Sequence, residues 1–233
     1  MGEDIVEKRS PLTFRSLFHE YKHAWLFWIY LLLGYQFSFT EQIVVPQYWV
    51  SCRVDDFIPF IPEFVIPYIL WFPAIAFVLI TLCFSDRGDF IRCISLLYVG
   101  FEAALLLYLV FPNGQPLRPH ITDTDFFSVF IRDSIYASDT NTNVCPSIHV
   151  LNQLAIHIGL CKSKLGQRHK GWCRVSLVFT VLVCASTVLI KQHSIIDVVA
   201  ALILEAFLYA LIYKINWQKF FNRLRQQRNA FAD

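Results

Sequence analysis

Six long runs of apolar residues, separated by polar segments, dominate the pattern of this chain. The runs cover residues 24–39, 64–84, 90–111, 146–160, 175–190 and 195–215. A helix that crosses a bilayer needs about 20 mostly apolar residues, so each run is predicted to form a transmembrane helix. The first and fourth runs are short, and the fourth also contains the polar residues His149, Asn152, Gln153 and His157. The pattern predicts an all-α polytopic membrane protein with six transmembrane helices.

Composition supports the membrane assignment and excludes several other classes of protein. Of the 233 residues, 56% are hydrophobic and 16% are charged, which is too little charge to cover the surface of a soluble domain. The net charge of +2 gives no reason to expect a nucleic-acid partner. The seven cysteines show no Cys-x-x-Cys pair and no spacing typical of zinc sites, so no metal is expected.

No internal repeat or low-complexity linker divides the chain, so one membrane domain is predicted over residues 1–233. Within it we expect a cytoplasmic interfacial segment at 1–23, a six-helix core at 24–215 and a basic cytoplasmic tail at 216–233.

Lysine and arginine predict which way the helices face. Sixteen of the 20 lie in 1–22, 85–92, 161–174 and 214–233, whereas only Arg53, Arg118, Arg132 and Lys191 lie in the opposite loops. Because cytoplasmic loops are rich in these residues, both termini are predicted to be cytoplasmic. Residues 40–63, 112–145 and 191–194, which we call the three outer segments, are then extracytoplasmic. The chain shows no retention signal, which favours a bacterial cell membrane.

His193 and Asp197 form the first candidate site, at the start of the sixth predicted helix. Residues four apart share a helix face, so the Asp197 carboxylate can hold one ring N–H of His193. The other ring nitrogen would then be free to act as a nucleophile. A pair that only caps or stiffens the helix is the alternative, but ionisable groups at the edge of a span usually have a function.

Two further motifs fall on the same predicted side. Cys145-Pro146-Ser147-Ile148-His149 opens the fourth predicted helix, where Pro146 fits the first helical position. The free N–H groups of that turn and the Ser147 hydroxyl would bind an anion, and His149 could protonate a leaving oxygen. Arg118 offers a planar fork for phosphate oxygens. Each motif alone also fits a structural role, as a helix start or a headgroup contact. Together they predict phosphoryl transfer through a phosphohistidine.

In order and spacing these motifs resemble those of the type 2 phosphatidic acid phosphatase superfamily, which run Lys-x6-Arg-Pro, Pro-Ser-x-His and Ser-Arg-x5-His-x3-Asp. The matching residues are Arg118, Pro119, Pro146, Ser147, His149, Ser186, His193 and Asp197. The resemblance covers residues 20–215 and implies a mechanism without metal or other cofactor. In it, His193 attacks phosphorus, Asp197 orients His193, and His149 protonates the leaving alcohol. Arg118, Ser147 and Ser186 are implied to hold the phosphate oxygens.

Two positions depart from the pattern of that superfamily. Phe111 stands where the first lysine is expected, and Thr187 stands where the arginine of the third motif is expected. Losing one group that stabilises a transferring phosphoryl can cost roughly 3–4 kcal/mol, so another cation is expected to substitute. Lys191, two residues before His193, is the strongest candidate, with a snorkelling anchor as its alternative role.

The expected function is hydrolysis of a lipid phosphate ester at the extracytoplasmic face. The expected partners are that substrate and membrane lipids, with no obligatory protein partner. Because two of the expected cationic residues are missing, a second hypothesis stays open: a transferase that moves a phospho-headgroup to a lipid alcohol. A phosphodiester needs less positive charge in its site than a phosphomonoester does. A non-catalytic lipid-binding or transport relative is the third hypothesis. An oxidising exterior would also permit a disulfide between Cys52 and Cys145, which both fall in outer segments.

Overall fold

The computed structural model describes residues 20–215 and consists mostly of helix. Its six long helices are α1 Phe27–Ile43, α2 Val65–Ser85, α3 Arg87–Val110, α4 Ile148–Lys162, α5 Lys170–Leu189 and α6 Ile195–Tyr209. They correspond to the six predicted apolar runs. Most of the predicted interfacial segment 1–23 and all of the predicted basic tail 216–233 lie outside the described residues.

Shorter elements connect the long helices. The 3-10 turns Lys22–Leu26 and Pro62–Phe64 precede α1 and α2, and π turns cover Ile131–Ile135 and Ala210–Lys214. Short helices cover Arg53–Phe57, Phe126–Phe130, Tyr136–Ser138 and Lys164–Arg168. Strands β1 (Tyr48–Trp49) and β2 (Asn113–Gly114) pair in parallel, with Tyr48 opposite Asn113. This small sheet joins the first outer segment to the second.

Four helices within the described residues are long and apolar enough to cross a membrane. They are Pro62–Ser85, Arg87–Val110, Lys170–Leu189 and Ile195–Lys214, where the first and last include the turn that extends α2 or α6. Their outward faces are apolar, and Phe77, Val181 and Ile203 each leave more than half of their surface exposed. Helices α1, with 17 residues, and α4, with 15, are shorter. Length and composition thus support a membrane protein with four candidate spans.

Helix α4 lies at the centre of the bundle, where it packs against α2, α3, α5 and α6. Most of its residues are buried, including Asn152 and Gln153, and the Gln153 amide donates to the Thr180 hydroxyl at 3.0 Å. At Gly159 the backbone approaches α3 so closely that an added Cβ would lie 2.2 Å from the Cys93 sulfur. Because α4 contacts protein more than lipid, it tolerates the polar residues that lower its hydropathy.

Local sequence explains where several helices begin. The Asp86 carboxylate accepts from the N–H groups of Gly88 and Asp89 and so caps α3. Ser147 and Ser194 occupy the same capping position at α4 and α6. Pro146, which was predicted to be the first residue of α4, instead precedes this cap, because Ser147 still has an extended backbone.

The three outer segments meet at one end of the bundle. The Ile61 N–H donates to the Leu189 carbonyl at 3.0 Å, which ties the first outer segment to the end of α5. The Gln115 amide donates to the Lys191 carbonyl at 2.9 Å, which ties the second to the third. The motifs that the sequence spreads over more than 70 residues therefore lie side by side.

Candidate active site

His193 and Asp197 form a pair at the start of α6, as their spacing predicts. His193 Nδ1 lies 3.3 Å from Asp197 Oδ2, slightly longer than an ordinary hydrogen bond. The same carboxylate oxygen accepts from the Ser194 N–H at 2.9 Å, in a capping box that fixes its position. Asp197 is fully buried and His193 is 6% exposed. The carboxylate can therefore hold a proton on Nδ1 and leave Nε2 as the reactive nitrogen.

His149, in the first turn of α4, faces that reactive nitrogen. Its Nδ1 lies 3.4 Å from His193 Nε2, although 44 residues separate the two histidines in the chain. Tyr68 and Trp71 of α2 pack on the His149 ring, with ring centroids 4.6 and 4.5 Å away. The aromatic contacts hold the His149 ring in place against His193.

Ser147 and Ser186, the predicted phosphate ligands on two helices, are both fully buried. The Ser147 hydroxyl accepts from the Val150 N–H at 3.4 Å, and the Ser186 hydroxyl donates to the Val183 carbonyl at 2.7 Å. The Ser147 N–H donates to the Asp197 carbonyl at 3.2 Å, which joins the starts of α4 and α6. In this structure both serines thus stabilise the backbone around the two histidines.

Arg118 contacts Gln192, the residue before His193, and the hydrogen bonds of its guanidinium go to groups of the protein. Its guanidinium donates to the carbonyls of Tyr136 and Asp139 and to the Gln192 side chain, the last at 2.6 Å, and stacks over the Tyr136 ring at 4.3 Å. Burial lowers the pKa of Arg118 from its usual value, and the Asp139 carboxylate opposes that change. The guanidinium is therefore held in a fixed position by Asp139 and Gln192, which both line a cavity next to the histidines.

Lys191 is placed differently from the cation that the sequence predicts. It has a positive φ of 54°, and its amine donates to the carbonyls of Asp55 at 2.9 Å and Ile58 at 2.6 Å. These bonds direct the amine toward the first outer segment. Its role in this structure is to fasten that segment to the turn before His193.

The two departures from the superfamily pattern also have local roles. Phe111 stacks on Tyr48, with ring centroids 4.7 Å apart. Thr187 is fully buried, and its carbonyl accepts from the N–H groups of Gln192 and His193, both at 3.0 Å. Thr187 therefore holds the turn on which His193 sits.

Asp55 is a supporting residue that the sequence did not single out. It is 2% exposed, and its carboxylate accepts from the Cys52 N–H at 2.8 Å, the Ser194 hydroxyl at 2.7 Å and the Ile195 N–H at 2.9 Å. Burial alone would raise the pKa of Asp55, but these hydrogen bonds outweigh it and keep the pKa below its usual value. The contact with α6 joins residues about 140 positions apart in the chain, so no local sequence pattern signals it.

A cavity of about 320 Å³ opens next to the two histidines. Its polar wall includes His149, His193, Gln192, Asn143, Asp139 and Glu41. Aromatic groups form much of the remaining wall: Tyr30, Phe37, Trp71, Phe72, Phe101 and Tyr108. No lysine or arginine of residues 20–215 lines it. The volume is ordinary for a small-molecule site. The combination of polar and aromatic lining residues suits a molecule with one polar and one apolar end.

No group of three His, Cys, Asp or Glu side chains in the described part of the chain is arranged to hold a metal ion. Cys52 and Cys145 are both free thiols, so the disulfide that the sequence would permit is not formed.

Comparisons with protein-family models, with curated proteins and with solved structures find no match to this chain.

Proposed function

We propose that this protein is a membrane lipid phosphatase that cleaves a lipid phosphate ester through a phosphohistidine on His193. The observation that carries the proposal is the succession of contacts from Asp197 to His193 at 3.3 Å and from His193 to His149 at 3.4 Å, with both histidines at the wall of the cavity. Nucleophilic catalysis requires an imidazole that a buried carboxylate orients, as Asp197 does for His193. Acid–base catalysis requires a second proton carrier nearby, which His149 supplies.

The proposed reaction has two steps. His193 Nε2 attacks phosphorus and forms an N–P bond while the P–O bond to the lipid alcohol breaks and His149 gives its proton to that oxygen. Asp197 stabilises the positive charge that develops on the His193 ring. Water then attacks phosphorus and gives a proton to His149. The N–P bond breaks, phosphate leaves and both histidines return to their starting states.

A lipid is the proposed substrate because the cavity continues from the histidines to aromatic side chains of α1 and α2. Tyr30 and Phe37 of α1 and Phe72 of α2 line that part of the wall. An acyl chain can lie among them while its headgroup reaches His193. We further propose that α1 and α4 complete a six-span bundle and that the site faces out of the cytoplasm. The distribution of lysine and arginine supports this orientation.

Transfer of a phospho-headgroup to a second lipid alcohol is the alternative reaction. It is favoured by the composition of the cavity wall, which carries Glu41 and Asp139 but none of the lysines or arginines of residues 20–215. A dianionic monoester is poorly matched to such a wall, whereas a phosphodiester carries one charge less. The two reactions share the first step and differ in whether water or an alcohol attacks the phosphohistidine.

The test is an incubation of the purified protein in detergent, without added metal, with a panel of phospholipids and isoprenyl pyrophosphates. Free phosphate, released headgroup and new lipid species are followed together, and the phosphorylated peptide is sought by mass spectrometry under alkaline conditions. We expect turnover and labelling of His193, and their loss in His193→Ala. The matched control is His120→Ala, which removes an exposed histidine from the second outer segment.

Each result has a definite meaning. Free phosphate or free phospho-headgroup supports hydrolysis, and a new lipid without either supports the transferase. Equal behaviour of wild type and His193→Ala on every substrate would refute catalysis by His193 and favour a lipid-binding or transport relative.

A further inference from the structure

Two side chains at the cavity have polar groups without a partner. Trp71, 4% exposed, has an indole N–H with no acceptor among residues 20–215, and Asn143, 3% exposed, has neither a donor nor an acceptor for its side-chain amide. Both residues line the cavity beside His149 and His193. An unpaired buried donor costs about 1–3 kcal/mol, so such groups usually have a partner. Two of them at one cavity indicate a polar ligand.

The charge of that ligand can be inferred from the neighbouring carboxylates. Asp139 uses one oxygen to accept from the Tyr68 hydroxyl at 2.7 Å and the Gln192 amide at 2.8 Å. Glu41 uses one oxygen to accept from the Thr140 hydroxyl at 2.6 Å. Within the described residues, no hydrogen bond reaches the second oxygen of either carboxylate, and both residues line the cavity.

Within residues 20–215, the guanidinium nearest these carboxylates lies outside the cavity. Arg118 does not line the cavity and is held by the Asp139 carbonyl and the Gln192 side chain. It can offset Asp139 through space, but it leaves Glu41 without a cationic side chain within salt-bridge distance in the described residues. The polar wall therefore offers neutral donors, Trp71 and Asn143, together with two carboxylates that form no salt bridge with any lysine or arginine of residues 20–215.

We propose that the site selects a zwitterionic phosphodiester lipid, whose headgroup carries an amine or a quaternary ammonium. Trp71 and Asn143 bind the singly charged phosphate, and Glu41 and Asp139 bind the cationic end. This selectivity rests on the proposed function for the position of the phosphate next to His193. Lipids with a dianionic phosphomonoester or with an uncharged headgroup would meet the same carboxylates without a compensating cation and bind less tightly.

Binding is measured first, with the His193→Ala protein in detergent, so that turnover does not interfere. The probes are four lipids with identical short acyl chains: phosphatidylcholine, phosphatidylethanolamine, phosphatidylglycerol and phosphatidic acid. We expect about tenfold tighter binding of the two zwitterionic lipids than of the two anionic ones, as about 1.4 kcal/mol of ion-pair energy would give. Turnover of the same four lipids by the wild-type protein is measured in parallel.

Substitutions then separate the two halves of the headgroup site. Glu41→Gln should bring the ratio of dissociation constants, anionic lipid over zwitterionic lipid, close to one. Glu63→Gln, at an exposed glutamate of the first outer segment, should leave this ratio unchanged. Trp71→Phe and Asn143→Ala should weaken the binding of all four lipids by similar factors, because Trp71 and Asn143 are proposed to contact the phosphate that the lipids share. Thermal unfolding of each variant verifies that it folds.

The outcomes distinguish this inference from the proposed function. Anionic lipids that bind as tightly as zwitterionic ones, or a preference that survives Glu41→Gln, would overturn the inference even if the protein hydrolyses lipids. Selective binding of zwitterionic lipids without turnover of any lipid would support the headgroup site and count against the proposed catalysis.

Discussion

Replacing Asp55 by alanine tests whether the first outer segment supports the turn and helix that carry His193. The side chain is 2% exposed and accepts three hydrogen bonds of 2.7–2.9 Å, two of them from Ser194 and Ile195 of the third outer segment and α6. A hydrogen bond to a charged group contributes about 1.5–3 kcal/mol. Because water can reach some of the released donors, we expect a total loss of about 3 kcal/mol rather than the full sum.

That loss can be measured by reversible unfolding in mixed micelles, followed by circular dichroism. For a chain of this length about 1 kcal/mol shifts the melting temperature by 2–4 °C, so Asp55→Ala should melt about 6–12 °C below wild type. Asp56→Ala is the matched control, because Asp56 is the exposed neighbour on the same short helix. A shift for Asp55→Ala no larger than that of Asp56→Ala would show that the contact with α6 does not stabilise the protein.

The same carboxylate predicts a dependence of stability on pH. Hydrogen bonds lower the pKa of Asp55 in the folded protein below its value in the unfolded chain. A lowered pKa stabilises the folded state above the unfolded pKa of about 3.9, and this stabilisation is lost as pH falls through the folded pKa. The difference in melting temperature between wild type and Asp55→Asn should therefore be largest above about pH 5 and narrow below about pH 4.

Three further predictions concern other parts of the bundle. Gly159→Ala should destabilise by about 1–3 kcal/mol because its Cβ would lie 2.2 Å from the Cys93 sulfur and 2.6 Å from the Cys93 Cβ. Cys93→Ala should relieve only part of this loss because the Cβ remains, and Gly171→Ala, which meets nothing within 4 Å, is the control. Burial raises the pKa of the Cys145 thiol to about 12, so this thiol should resist maleimide at pH 7.5 until the protein unfolds; rapid labelling of the folded protein would contradict this. Lys191→Met should lower the melting temperature through loss of two bonds to backbone carbonyls, and a large rise in KM at unchanged stability would instead support the phosphate-binding role.

Much of the architecture could be predicted from the sequence because contact with lipid restricts a helix face to apolar residues. A helix face in contact with lipid must be apolar along its length, so the runs at 64–84, 90–111 and 195–215 are visible in hydropathy alone. The structure has helices at these positions, at Val65–Ser85, Arg87–Val110 and Ile195–Tyr209. The pairing of His193 with Asp197 was equally local, because a spacing of four residues places them on one helix face.

Other features depended on contacts between distant segments. Helix α4 is central although its hydropathy is modest, because protein rather than lipid surrounds it. Lys191 was a plausible cation from its position in the chain, but backbone carbonyls of the first outer segment, more than 130 residues away, determine where its amine lies. A long, flexible side chain takes the direction of its strongest partner, and sequence spacing does not reveal that partner.

The polar wall of the cavity is the clearest case of a feature that depends on the tertiary structure. Glu41 comes from α1, Trp71 from α2, Asp139 and Asn143 from the second outer segment and His193 from the third. The distribution of lysine and arginine predicted that the three outer segments lie on one side, and the structure has them in contact. The sequence also identified His193, which lines the cavity. Which uncharged donors and which carboxylates stand beside that histidine depends on how the loops pack, because packing is set by contacts between residues far apart in the chain.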